Sequence, residues 1–433
     1  MNTKQLKDKY DLSELELFTQ STSGYKVSFT ANKLKQTESV HTSGSAVRLI
    51  KNNKIGFSAN YGTNSFEETI VHAIETSEFS PKINIELPGN NSFNENTKKV
   101  KEISLSEYLN NCKAKGNSII EEIQNEAPDV LTDISFDLGY TYENIKNSKE
   151  LEYSHSNETH YCLINIRDTD ENDFIDIYTA ITDDKFPDYK PYLSELLKSY
   201  KLSKKHAKIK SGKLPVLFTS KASKELFSLV EVALNGKQIN QKASPWHDKL
   251  NQKVLSNLIT IKQDPSFGYM TRAVDDEGNK TQTLLLINKG VLECFYFDLT
   301  SSSRAALQCS STGNGFKPSL TSQPEPNLLN MLVSCGKKTL NEIIKSTDYG
   351  LLVDQTMGGL TTNISGDMSV NVDIGFLIEK GKLIGRVKDV MISGNIYNAL
   401  NNVIELSNTP KWYWSNIYSP DILVEGFTVS AKN

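Results

Sequence analysis

Three segments of the chain carry side chains that could do chemistry. His155-Ser156-Asn157-Glu158-Thr159-His160 holds two histidines and a glutamate, the donor types of a zinc site. The helical HExxH arrangement sets its histidines four apart on one face, and here they are five apart. Ser156-Asn157 reads as turn material, so the segment is predicted to be a solvated hairpin tip. Asp275-Asp276-Glu277-Gly278 offers three carboxylates, which a divalent cation would favour. Adjacent strand residues point to opposite faces, so a polar turn ending in Gly278 between two strands is the simpler reading. Ser311-Thr312-Gly313-Asn314-Gly315 could lay backbone N–H groups around a phosphate. Gly336-Lys337-Lys338-Thr339 resembles the end of a P-loop, but Met331 stands where the leading glycine belongs, which argues against nucleotide binding.

Other nucleophile patterns are absent. No serine sits in a GxSxG elbow. The five cysteines (Cys112, Cys162, Cys294, Cys309, Cys335) form no CxxC pair and are predicted to be buried free thiols in a reducing compartment. His72 lies on a predicted helix and is read as a surface or satisfied histidine. His247 follows Trp246 in a polar loop and could line a cleft.

These residues must be positioned by a chain of 433 residues, long enough for two domains. Net charge is −4, so nothing in the charge balance favours nucleic acid or an anionic membrane surface. Charged residues run through Met1–Leu17 without an apolar stretch, and no apolar run approaches the ~20 residues that span a bilayer. The cytoplasm is the predicted location.

Lys26–Thr30 alternates like a strand, and Ala46–Ile50 with Ile55–Ala59 reads as a hairpin. Ser65 is the expected N-cap of a helix carrying Phe66, Ile70, Ala73 and Ile74, and a second helix is predicted over about Ser106–Ala127. Strands are predicted at Ile134–Tyr142, Glu152–Ser154 and Tyr161–Arg167. Lys201–Lys213, with six lysines, reads as a solvated helix end and linker. It marks the boundary between an N-terminal domain, 1–205, and a C-terminal domain, 206–433. The latter opens with a strand at Leu214–Thr219 and a helix at Ser220–Leu234. Short strands follow at Asn257–Ile261, Tyr269–Val274, Gln282–Ile287, Val291–Asp298, Gly350–Asp354, Asp367–Ile378 and Lys382–Asp389, then a helix near Gly394–Ile404 and a strand at Asp421–Val429. The fold class is α+β: a mixed sheet-and-helix domain followed by a strand-rich domain with a curved or barrel-like sheet.

Several segments in one order resemble the TldD/PmbA family. They are Gly44–Arg48 with Lys54–Asn60, the Phe66–Glu75 helix, Pro215–Phe218, Leu258–Pro265, Asp275–Gly278, Lys289–Leu292, Ser311–Gly315, Ile364–Ser369 and Gly394-Asn395. TldD-type members carry HExxxH on the first helix of the C-terminal domain and a late cysteine ligand, whereas PmbA/TldE-type members lack both. With Leu234 and Gly236 in register, the two histidine positions fall on Phe227 and Val232 and the glutamate position on Ser228. Phenylalanine and valine offer zinc no lone pair, and serine is no carboxylate base. Leu226, Phe227, Val230, Ala233 and Leu234 form an apolar stripe, so the would-be metal positions are predicted to pack into a core. No cysteine follows Cys335.

The resemblance implies a non-catalytic PmbA/TldE-type subunit with no metal of its own, paired with a TldD-type partner that holds zinc. A homodimer is the form open to the chain alone. Such pairs trim unfolded or leader peptides, and a sheet-rich domain could hold an extended peptide by strand addition. Asp276, Gly278, Thr312, Gly313 and Asn314 are the expected cleft or interface positions. Two rivals remain: a stand-alone peptidase assembled from His247 and the Asp275–Glu277 acids, and a regulatory interaction protein.

Overall fold

The computed structural model describes residues 2–62, 65–89, 103–170, 173–306, 309–358, 363–413 and 415–432. Its first half is built on β1 (Glu14–Thr30), β2 (Lys33–Lys51), β3 (Lys54–Tyr61), β4 (Leu131–Asn147), β5 (Glu152–Asp170) and β6 (Asp173–Asp183). They form one antiparallel sheet in the order β3-β2-β1-β4-β5-β6. Helices α1 (Thr3–Lys9), α2 (Phe66–Ser77), α3 (Leu105–Glu126) and α4 (Lys190–Ser203) accompany it. Ser65 caps α2 as expected, its hydroxyl accepting from the Glu68 N–H at 3.4 Å. Ser104, two residues before the predicted start, caps α3.

The strands are far longer than the predicted fragments, and the reason is a change of covered face. Phe18, Ile145 and Tyr153 sit side by side across β1, β4 and β5, as do Val27, Phe136 and Cys162. The two sets are an odd number of residues apart on every strand, so they point to opposite faces. The first set packs on Val274 and Leu320 of the second half. The second packs under α3 and α4, against Ile119, Ile123 and Leu193. Between them neither face is fully covered and apolar alternation disappears. The His155–His160 segment falls in this zone. It is therefore not a hairpin tip but the middle of β5, with both histidines buried.

In the second half the strand Val216–Phe218 runs straight into α5 (Ser220–Leu234). Val216 and Phe218 face one side of a nine-stranded sheet, level with Leu351, Val353, Ile422 and Val424. That side packs on α5. Leu217, Leu352 and Leu423 face the other side and share one core with Ile119, Phe136 and Leu193 of the first half. A second, six-stranded sheet includes Ile261–Gln263, Met331–Val333 and Ile417–Ser419 and ends at Lys411–Trp412. The architecture is α+β with a strand-rich, curled second half. Tyr269–Val274 and Cys294–Asp298 are not strands, since their backbone groups serve turns and caps instead. The predicted helix near Gly394–Ile404 shrinks to Ile396–Asn401 between two strands, and the closing strand divides into Ile422–Val424 and Thr428–Ala431. Among the described residues no helix is long and apolar enough to cross a membrane.

The halves also meet through buried charge. Arg48, on β2 and 3% exposed, reaches Glu16 on β1 at 2.7 Å and Glu277 of the second half. Glu277 also accepts the Leu299 N–H at 2.7 Å. Burial pushes the Glu277 carboxyl up to about 7, against the pull of Arg48. Removing one partner of such a set strands the others in a water-poor contact. Arg48→Ala should therefore lose about 3–5 kcal/mol in urea unfolding, and a loss below 1 kcal/mol would show that the contact is wetter than described.

Candidate functional site

Helix α5 is the element on which the family's metal chemistry would sit. No side chain caps its start from Thr219, and instead Asp421 accepts the Ser220 N–H at 2.7 Å. Lys221, 6% exposed, is held by Asp354, by Gln355 at 2.8 Å and by the Tyr178 carbonyl at 2.9 Å, which ties the helix to the first half. Leu226, Phe227, Val230, Ala233 and Leu234 are all buried, as the stripe predicted. Val232 is not, for it is 41% exposed and lies outside the stripe. The two would-be histidine positions thus face different surroundings, one in the core and one in solvent. The Ser228 hydroxyl donates to the Glu225 carbonyl at 2.8 Å, so it serves its own helix. These three side chains do not fit a zinc ion.

Of the two acids on this helix, Glu225 and Glu231, the second lies within the span of the apolar stripe. Glu231 accepts from Asn416 Nδ2 at 2.8 Å and from the Leu328 N–H, and burial raises its carboxyl to about 7. Asn416 also donates to the Leu328 carbonyl at 3.0 Å. Near it lies an aromatic group: Trp412 stacks on Tyr418 with centroids 4.8 Å apart, and Tyr269 and Phe267 flank them. Phe267 is 43% exposed. Lys411–Trp412 is the end strand of its sheet, with no strand on its outer side among the described residues. Backbone donors and acceptors on such an edge can take a further strand.

The Asp275–Gly278 turn exists, closed by the Gly278 N–H on the Asp275 carbonyl at 3.2 Å, but it is buried between the halves instead of solvated. Asp275 accepts N–H groups of Glu277, Asn279 and Gly315, and its carboxyl is held well above the usual range by burial and by Glu277. Asp276 pairs with Arg272 at 2.6 Å and accepts the Lys317 N–H at 2.8 Å. Arg272 reaches on to Glu143 of β4 at 2.8 Å. Gly278 has φ +88°, and a Cβ there would lie 2.3 Å from Leu151 of the first half, so turn and contact both demand glycine. Asp276 and Gly278 are therefore at the contact between the halves. Thr312, Gly313 and Asn314 form an internal knot: Asn314 is buried and joins Gln263, the Asn327 carbonyl and Thr312.

The remaining candidates stay apart. His155 and His160, on opposite faces of β5, cannot share a metal, and His160 pairs with Glu158 at 2.8 Å. Among the described residues no three His, Cys, Asp or Glu side chains converge on a metal position. His247 is held by the Ser244 carbonyl at 3.0 Å, and none of the partners of the Asp275–Glu277 acids is His247. All five thiols are free, but only Cys112 and Cys162 are buried, while Cys294 and Cys309 are partly exposed and Cys335 is exposed. Short apolar context in a sequence does not distinguish a core cysteine from one on a strand end. The role of Glu231 was not foreseen, although its place as the sole acid among the stripe residues was the available signal.

Two outcomes follow for α5. Phe227→His should cost about 2–5 kcal/mol by creating a misfit in the core, whereas Val232→His should stay within about 0.5 kcal/mol at its exposed site. Urea unfolding of the two single variants checks the contrast, and equal costs would contradict the assigned faces. Glu231 titrates higher folded than its ordinary 4.5. It holds its proton in the folded state while the unfolded chain has lost it, so stability declines as pH rises from about 4.5 to about 7. Relative to Glu231→Gln, the wild type should show that decline and level off above it, and parallel pH profiles would remove the shift.

The comparisons with known proteins accord with this geometry. The model of the PmbA/TldA metallopeptidase C-terminal domain matches residues 211–431, and that of PmbA/TldA metallopeptidase domain 1 matches 15–80. A metalloprotease PmbA homolog from Buchnera aphidicola (subsp. Acyrthosiphon pisum) is 29% identical over 46% of this chain and 43% of its own length. A metalloprotease TldD homolog from the same organism is 30% identical over 43% of this chain and 38% of its own. The match thus spans less than half the length of these curated relatives. The crystal structure of TldE from Thermococcus kodakarensis superposes with a TM-score of 0.90 at 20% identity, over 99% of both chains. By its matched domains, the chain belongs to the PmbA/TldD family of metallopeptidase-related proteins.

Proposed function

We propose that this chain is the subunit without metal in a two-chain TldD/TldE-type peptidase. A TldD-type partner supplies zinc, and this chain completes the cleft that holds an unfolded or leader peptide. The observation that carries the reading is α5. At the three motif positions it presents a core phenylalanine, a serine bonded to its own helix and a solvent-facing valine. A Lewis acid needs lone-pair donors that converge on one point, and here neither Phe227 nor Val232 supplies one and the Ser228 hydroxyl is engaged by its own helix.

The peptide role draws support from the open edge at Lys411–Trp412 and the aromatic group beside it. Main-chain pairing on that edge would hold any extended peptide, while Phe267, Tyr269, Trp412 and Tyr418 would favour bulky side chains. Binding by backbone suits a substrate recognised for being extended rather than for one sequence.

Mixing the purified chain with an HExxxH-bearing relative from the same source tests this. The expected outcome is a stable complex that cleaves an unfolded polypeptide and stops on chelation, with neither subunit cleaving alone. Stoichiometric zinc in this chain by itself, or cleavage by it without a partner, would overturn the assignment.

A further inference from the structure

Only the start of the lysine-rich segment 201–213 is a helix end. There Lys201 pairs with Glu126, and Lys204 with Asp168 at 2.7 Å. From His206 onward the segment lies along the second half. The Ala207 N–H donates to the Arg386 carbonyl at 2.9 Å, and the Lys210 N–H to the Tyr349 hydroxyl at 2.9 Å. Ile209 is buried while Lys208 and Lys210 beside it are exposed, the alternation of a strand with one covered face. Gly212-Lys213 then pairs with Thr428 and Val429 as the end strand of the nine-stranded sheet. No strand lies on its outer side among the described residues.

The same edge carries a surplus of positive charge. Lys205, Lys208, Lys210 and Lys213 are exposed, and none of them forms an ion pair among the described residues. Lys432 stands beside them, since the Ala431 N–H is bonded to the Ser211 hydroxyl at 2.9 Å. The neighbouring acid Asp173 is already shared by Arg386, by Lys388 at 2.7 Å and by His206 at 3.3 Å. Asp389 lies on the adjoining turn, where its carbonyl accepts the Lys432 N–H at 3.1 Å, and offsets one of these charges.

We infer that this edge docks an extended acidic segment of another protein, laid alongside Gly212-Lys213 as an added strand. Lysines on an edge ordinarily keep other strands away. That exclusion is selective, because a neutral or basic strand would leave the lysines unpaired, whereas carboxylates pair with them. The end strand is short, so the lysines and not main-chain pairing set the preference. Side chains on one face of a strand recur every ~7 Å. Glutamates at alternate positions would therefore meet both Lys208 and Lys210. Segment 201–213 has no Phe, Tyr or Trp on which the bases of a nucleic acid would stack, which favours a polypeptide. This edge and the Lys411–Trp412 edge belong to different sheets, so acidic docking here stands or falls separately from peptide binding there.

The test is fluorescence anisotropy of the full chain with a labelled peptide of alternating glutamate and threonine. Its glutamine and lysine counterparts and an oligothymidylate are measured beside it. The expected result is saturable binding of the glutamate peptide alone, weakening as salt is added. The double variant Lys208→Glu/Lys210→Glu, altered only at exposed positions, should unfold normally in urea and bind roughly tenfold more weakly or worse. Replacing the threonines of the peptide by proline, which cannot pair along an edge, should weaken binding too. No saturation, equal binding of the glutamine peptide or the oligothymidylate, equal binding of the proline peptide, or undiminished binding by the double variant would each overturn the inference.

Discussion

The contact between the halves turns on charge held largely out of water. Arg48 stands between Glu16 of its own sheet and Glu277 of the other half, and Arg272 repeats the arrangement between Glu143 and Asp276. Neither set is a strong source of net stability, because desolvating the ions offsets most of their attraction. What they impose is geometry. A slip of the turn by one residue would leave a carboxylate or a guanidinium buried without its partner. The apolar cores on either side could tolerate many relative positions, and the ion sets leave one.

That fixed position explains why the long sheet has two covered faces. Near Phe18 and Ile145 it is roofed by the second half, and near Val27 and Phe136 by α3 and α4. The sheet of the second half is covered on both sides in turn, by α5 and by the shared core around Leu217 and Leu352. Helix α5 is held at its start by Asp421 and Lys221 and along its length by a continuous apolar stripe. A helix anchored in this way is a stable wall for a cleft. Its solvent-facing residues, among them Val232, are free to vary without touching the core.

Much of this was readable in advance where a residue's role is local. The Ser65 cap and the extent of α5 follow from side-chain periodicity and short-range hydrogen bonding, which neighbours in sequence decide. The glycine at 278 reads as a turn for the same reason. The His155–His160 segment was misread because its polar residues look like a turn when viewed alone. They form a strand because β4 pairs with them residue by residue and β6 joins from His160 onward, a long-range fact. Val232 was misassigned by treating the family's motif positions as one face, when they lie five residues apart on a helix.

The sequence by itself determined that this chain lacks zinc ligands at the family's motif positions, since no arrangement in space gives phenylalanine or valine a lone pair. It also determined the α+β class and the order of the main elements, because periodicity is a local property. Only the tertiary structure decided that Asp276 and Glu277 are buried partners of arginines, because burial is set by the packing of the two halves and the partner of Glu277, Arg48, lies far away in the chain. It alone brought Glu143, His155, Arg272 and Asp276 together where the halves meet. Residues from two strands and a distant turn meet only after two cores have packed and the charged contact between them has set the register.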